Sequence, residues 1–265
     1  MELRAILLTF YIFFAMAGLA SASEFDAPWR DANTTIILDP YHGNKLDFDE
    51  LASDKKVVAI IHQATQGLVT DKKYDARRLE ALKRHYFWGS YHLLTIDDVK
   101  SQISLYLKTV GQNADETHAL DIECVVTGNS LNPDGRPQCE KKFSAVTVEQ
   151  ALNAIDEYHR QFLSYPLLYM NDDTSGKLKT ALAGVPAYKN IQLWYARFKT
   201  DITGVFPIGT WKSYTLWQFS SQLTCMERPS PCTYRVPGTD YEMDVNIFNG
   251  DKQALRQRWP LDRVP

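Results

Sequence analysis

Val57-Val58-Ala59-Ile60-Ile61-His62-Gln63 stays apolar until its last two residues. A strand with one face in water alternates apolar and polar side chains. This one does not, so both of its faces are covered, as in the interior of a parallel sheet. Parallel strands need long crossovers, and the flanking sequence supplies them. Upstream, Thr34-Thr35-Ile36-Ile37-Leu38-Asp39 reads as a strand that ends in an acid and is stopped by Pro40. Downstream, Tyr74 to His85 sets Leu79 and Leu82 among charged residues at helical spacing, and Phe87-Trp88-Gly89-Ser90-Tyr91-His92 is the next strand.

The alternation continues. Ile96 to Val110 reads as a helix with Ile103, Leu107 and Val110 on one stripe and Thr95 or Asp97 as its cap. Ala119-Leu120-Asp121-Ile122-Glu123 is a strand. Asn132-Pro133-Asp134-Gly135 is a turn, and Thr147-Val148-Glu149-Gln150 is a capping box opening a helix to Phe162. Leu167-Leu168-Tyr169-Met170-Asn171 follows Pro166 as a strand, and a shorter helix runs from about Thr174 to Ala183. The strands Ile191 to Ala196, Tyr214 to Phe219 and Met243 to Phe248 then follow with loops between them and no amphipathic run. Eight strands with early βα alternation predict an α/β fold: a single irregular (β/α) TIM-like barrel with an incomplete helical ring.

Composition narrows the function. The 265 residues are 45% hydrophobic and 23% charged with a net charge of -3, so the chain is globular and carries no basic patch for nucleic acid. Residues 1–23 combine Arg4, an apolar run and small residues at Ala20-Ser21-Ala22, the pattern of a signal peptide cut near Ala22 or Ser23. An uncleaved anchor is the alternative, but the run is short for a span. Export predicts a secreted or periplasmic protein with no stable membrane insertion after cleavage. In that oxidising setting two local disulfides are expected, Cys124 with Cys139 and Cys225 with Cys232, each closing a short Pro-containing loop. A zinc site lacks a Cys-x-x-Cys pair, and His42, His62, His92 and His118 show no metal-binding spacing, so neither metal nor cofactor is expected.

The polar residues fall at strand ends: Asp39, Gln63, Tyr91 with His92, Asp121 with Glu123, Tyr169 with Asn171, Tyr195 with Arg197, Gln218 and Asp244. In a barrel such ends converge on one mouth, where the chemistry of these folds is placed. Asp121 and Glu123 stand at i and i+2, so they face the same way with Cα atoms roughly 6 to 7 Å apart. Two carboxylates that close resist ionising together, and one should hold its proton to higher pH. The ordinary alternative is a helix cap or salt-bridge partner beside a solvated strand end. Asp39 and Asp244, on the first and last strands, become neighbours when a barrel closes. Tyr41, Tyr91, Tyr169, Trp194 and Trp217 near the same ends suit a sugar ring, or else serve as core; Trp88 and Trp211 are expected to be structural.

Seven blocks in order then resemble glycoside hydrolase family 25, the muramidases of the Chalaropsis lysozyme type: Ile37-Leu38-Asp39-Pro40-Tyr41-His42-Gly43, Ile60 to Gly67, Trp88 to His92, Leu120-Asp121-Ile122-Glu123, Leu193 to Arg197, Leu216 to Phe219 and Asp244 to Gly250. The resemblance implies a catalytic barrel over residues 24–265 that cleaves the β-1,4 bond between N-acetylmuramic acid and N-acetylglucosamine in a peptidoglycan glycan strand. It makes Glu123 the proton donor, Asp121 its partner, and Asp39 and Asp244 the outer acids. Tyr91, Tyr169, Trp194 and Gln218 match substrate-contact positions. The chain departs from the family at Gln63 and Gln66, which replace a lysine and a glutamate, and at Pro40-Tyr41-His42. Two mechanisms follow: Asp121 orients the substrate's acetamido group as an internal nucleophile, or Asp39 or Asp244 activates water. A non-catalytic protein that binds cell-wall or chitin oligosaccharides on the same barrel is the alternative function.

Overall fold

The computed structural model describes residues 24–127, 144–225 and 233–263. The expected signal segment, the turn at Asn132 to Gly135, and Cys139 and Cys232 lie outside them. In chain order the elements are β1 (Thr34–Leu38), α1 (Phe48–Leu51), β2 (Val57–Gln66), β3 (Val69–Thr70), α2 (Tyr74–Lys83), β4 (Phe87–Leu93), α3 (Val99–Val110), β5 (Thr117–Ile122), β6 (Cys124–Val126), β7 (Ala145–Thr147), α4 (Val148–Phe162), β8 (Leu167–Asn171), α5 (Asp172–Ala183), β9 (Leu193–Ala196), β10 (Leu216–Ser220), β11 (Val245–Asp251) and α6 (Lys252–Arg258).

Strands β1, β2, β4, β5, β8, β9, β10 and β11 form one closed barrel, because β1 pairs with both β2 and β11. The pairings from β1 through β10 are parallel, with helices α2, α3, α4 and α5 in the early crossovers. Within the described residues no α-helix lies between β9 and β10 or between β10 and β11, so the helical ring is incomplete as expected. The last strand differs from the sequence reading. β11 is antiparallel to β1 and to β10, and it begins at Val245, so Asp244 precedes it instead of lying within it. An antiparallel strand presents its N-terminal end where its neighbours present their C-terminal ends. That reversal carries Asp244 to the same mouth as Asp39.

Side chains alternate across the barrel wall with the period of two that strands impose. Ile37, Ala59, Ile61, Ala119, Leu167, Trp194, Leu216 and Phe248 pack inside the barrel. Ile36, Leu38, Ile60, Trp88, Leu120, Leu168, Tyr195, Trp217 and Phe219 pack in the outer layer. Gly89 allows β4 and β5 to close up: a Cβ there would stand 2.7 Å from the Thr117 carbonyl oxygen. The Thr147 capping box at α4 is formed. The α3 cap is Asp98, whose Oδ1 accepts from Ser101 N at 2.9 Å, in place of Thr95 or Asp97. Those two bond each other at 2.7 Å, and Ile96 is left exposed ahead of the helix.

The chain end closes the opposite, N-terminal face of the barrel, an arrangement not read from sequence. Leu255 of α6 and Leu261 are buried among the interior side chains. Leu261 N donates to Thr117 Oγ1 at 2.8 Å, Trp259 Nε1 to Asp115 O at 3.0 Å, and an Arg263 guanidinium N–H to Ala114 O at 2.7 Å. Asp262 is buried here, and burial pushes its carboxyl up to about 7. A carboxyl raised in the folded state stabilises fully below its unfolded value and loses that contribution as pH rises through the folded one. Relative to wild type, Asp262→Asn should therefore gain stability between about pH 4 and pH 7 and hold a constant margin above that. Urea unfolding across this range checks it; a margin independent of pH would contradict the assignment.

Candidate active site

The mouth holds a cleft of about 1110 Å³. Asp39, Asp121, Glu123 and Asp244 all line it, with Tyr91, Tyr169, Trp194 and Gln218. The eight catalytic and substrate positions expected from sequence thus share one cavity. Each arrives by strand parity: Asp121 is the inward residue after Ala119, and Glu123 follows two places later, just past the end of β5. The Glu123 backbone carbonyl accepts from Asn171 Nδ2 at 2.7 Å and Thr174 Oγ1 at 2.9 Å. Asn171 also caps α5, taking Thr174 N at 2.9 Å, so one residue ties the Glu123 backbone to a helix N-terminus.

Asp39 is held by two side-chain amides. Gln218 Nε2 donates to its Oδ2 at 2.7 Å, and Asn246 Nδ2 donates to Oδ1. Burial, and next the charge of Asp244, nevertheless hold the Asp39 carboxyl well above the usual carboxylate range; Asp121 adds in the same direction. Burial also raises the phenols of Tyr91 and Tyr169, reinforced by the surrounding carboxylates, so both remain donors.

The loop after β1 is fixed from behind. The Arg77 guanidinium donates to Tyr41 O at 2.8 Å and to Asn44 O at 2.5 Å, and it contacts His62 Nε2 at 3.0 Å. His62 Nδ1 bonds Gln63 O at 2.7 Å, and burial lowers the imidazole to about 4, so the neutral ring accepts from Arg77. His92, likewise lowered to about 4 by burial, bridges Thr65 Oγ1 and Gln102 Oε1. These two histidines are structural. Asp71 holds His42 through its backbone N–H at 2.7 Å. Tyr41 then stands at the cleft edge, partly exposed.

Trp217 does not join the site. It is fully buried in the outer layer, with its indole N–H bonded to Arg197 O at 2.7 Å. Parity explains this: its neighbour Gln218 faces inward, so Trp217 faces out. Trp88 and Trp211 are buried, as expected. Sequence reading assigned no role to Asn246, although the i, i+2 relation to Asp244 marks it as inward in the same way. Nor did it assign the Asn171 and Thr174 anchor, which depends on α5 standing beside β5. Neither Cys124 nor Cys225 carries a free thiol, and Cys124 lines the cleft. Arg197, whose guanidinium pairs with Asp172, and Lys199 supply positive charge on the β9 side of the cleft.

Residues 39–227, more than half of the chain, match the family model described as glycosyl hydrolases family 25. The chain belongs to glycoside hydrolase family 25. Solved structures agree in fold. A bacterial lysozyme from Streptomyces coelicolor has a TM-score of 0.64 at 17% identity, covering 88% of this chain and 100% of its own. A family 25 lysozyme from Aspergillus fumigatus has a TM-score of 0.62 at 23% identity, covering 84% and 98%. A muramidase from Acremonium alcalophilum has a TM-score of 0.60 at 20% identity, covering 84% and 97%. No curated protein matches the chain. Family membership makes this chain a glycoside hydrolase.

Proposed function

We propose that this glycoside hydrolase is a secreted muramidase, with residues 1–23 as its cleaved signal peptide. It would hydrolyse the β-1,4 bond between N-acetylmuramic acid and N-acetylglucosamine in peptidoglycan. The observation that carries the reading is the meeting of Asp39, Asp121, Glu123 and Asp244 on one cleft together with Tyr91 and Trp194. Glu123 gives its proton to the glycosidic oxygen as the C1–O bond breaks, and water later supplies the new hydroxyl. Asp121, inward on the same strand, orients the 2-acetamido group to hold C1 from the opposite face. The raised proton affinity of Asp39 makes it a weaker base for water, which leaves Asp244 as the base of the competing direct route. Cys124 with Cys139 and Cys225 with Cys232 are the proposed disulfides.

The test is to incubate the purified protein with peptidoglycan, identify the sugar carrying the new reducing end, and follow its anomer by NMR. Muramic acid at the new end, released with retained configuration, is the expected result. Inverted configuration would overturn the acetamido route in favour of direct water attack. Tight binding of soluble fragments with no new reducing ends would instead support the alternative of a sugar-binding barrel without turnover. Equal cleavage of chitin oligosaccharides would overturn the requirement for the lactyl-bearing sugar.

A further inference from the structure

We propose that Asn246, Gln218 and the indole N–H of Trp194 are positioning groups for Asp39: two amides grip its carboxyl from either side, each oriented by an aromatic donor behind it. Trp194 Nε1 lies 2.6 Å from the Asn246 side-chain oxygen. An indole N–H only donates, so the Asn246 oxygen must face it and the NH2 must face the other way. That NH2 bonds Ile37 O at 3.0 Å and Asp39 Oδ1. On the opposite side the Tyr169 hydroxyl donates to Gln218 Oε1 at 2.9 Å, which turns the Gln218 NH2 to Asp39 Oδ2 at 2.7 Å. Asn246 and Gln218 are both buried, so flipping either amide leaves two buried groups unsatisfied.

The grip matters because of what else faces Asp39. Asp244 ahead of β11 and Asp121 on β5 crowd negative charge onto Asp39, and with Glu123 just beyond β5 they also act on the buried phenols of Tyr91 and Tyr169. Two N–H donors aimed at its oxygens oppose burial and Asp244, and they stop the carboxyl from turning toward either neighbouring acid. Trp194 lines the cleft, yet its one polar atom is committed inside the wall. The ring itself is buried against Tyr91 and Tyr169, so support of Asp39 is the role its geometry carries, beside the substrate contact that the resemblance implies.

This inference deepens the muramidase reading and, for its kinetic arm, rests on it. Trp194→Phe keeps a flat ring and deletes the donor; Asn246→Leu deletes the amide. On peptidoglycan, Trp194→Phe should lower kcat by about tenfold while KM stays within about twofold. The Asp39 carboxyl, followed by carbon-13 NMR, should titrate at higher pH in both variants: Asn246→Leu removes a donor that favours the ionised form, and Trp194→Phe frees the Asn246 amide to turn that donor away. A raised KM with unchanged kcat and an unmoved Asp39 titration would overturn the proposal and make the indole N–H a direct sugar donor. Should Asn246→Leu fail to fold, Trp194→Phe decides alone. If the wild-type protein leaves peptidoglycan intact, the functional reading fails while the Asp39 titration still judges the grip.

Discussion

Replacing Glu123 by glutamine should leave a folded protein whose turnover of peptidoglycan falls by about 100- to 10,000-fold, the usual contribution of a positioned general acid. The fold is expected to survive because the backbone at this position is held independently of the side chain. Asn171 Nδ2 and Thr174 Oγ1 bind the Glu123 carbonyl, and the substitution touches neither bond. Glutamine also matches the carboxyl in shape, so glycan binding should persist. What it lacks is a proton for the departing oxygen. A substrate whose leaving group is an acidic phenol does not need that proton, so an aryl glycoside that the enzyme accepts should recover most of the rate. Reducing-end assays and a thermal melt measure both halves. Wild-type turnover by a well-folded Glu123→Gln enzyme would remove Glu123 from the mechanism.

Trp217→Ala should act in the opposite sense, costing stability and sparing the site. The side chain is fully buried, packs edge to face on Trp29 at 5.3 Å and Tyr214 at 5.7 Å, and bonds Arg197 O through its indole. Emptying such a position costs about 3 to 5 kcal/mol, from lost transfer free energy and the cavity left behind. For a domain of this size that is a fall in Tm of roughly 6 to 20 °C. KM for glycan, measured on the folded protein well below the transition, should stay near wild type. A sugar-stacking tryptophan would show the reverse, with weakened binding and an unchanged melt. Chemical denaturation and steady-state kinetics on one preparation separate the two.

The contrast between Trp217 and Trp194 shows where residue-level reading reached and where it stopped. Both sit near strand ends among polar neighbours, and residue type alone groups them together. Strand parity separates them, since Gln218 and Trp217 are adjacent and only one can face inward. The same rule places Asn246 beside Asp244. The α3 cap followed a different logic. Sequence reading named Thr95 or Asp97 and missed Asp98, which takes the cap because Thr95 and Asp97 satisfy each other and Gln102 occupies the rest of that turn.

The amino-acid order by itself determined that apolar runs would pair as buried parallel strands, that no amphipathic helix would separate the last three strands, and that carboxylates and aromatics would collect at strand ends, because period-two and 3.6-residue patterning are local properties of the backbone. It also determined Asp121 and Glu123 as a same-facing pair. Only the tertiary structure decided the direction of β11, since a strand's side-chain pattern reads alike in either sense and its orientation depends on where the long preceding loop delivers the chain. That direction places Asp244 at the mouth, turns Asn246 toward Asp39 and brings the chain end beneath the barrel. Such contacts join residues about 200 positions apart, whose distance in space no local pattern encodes.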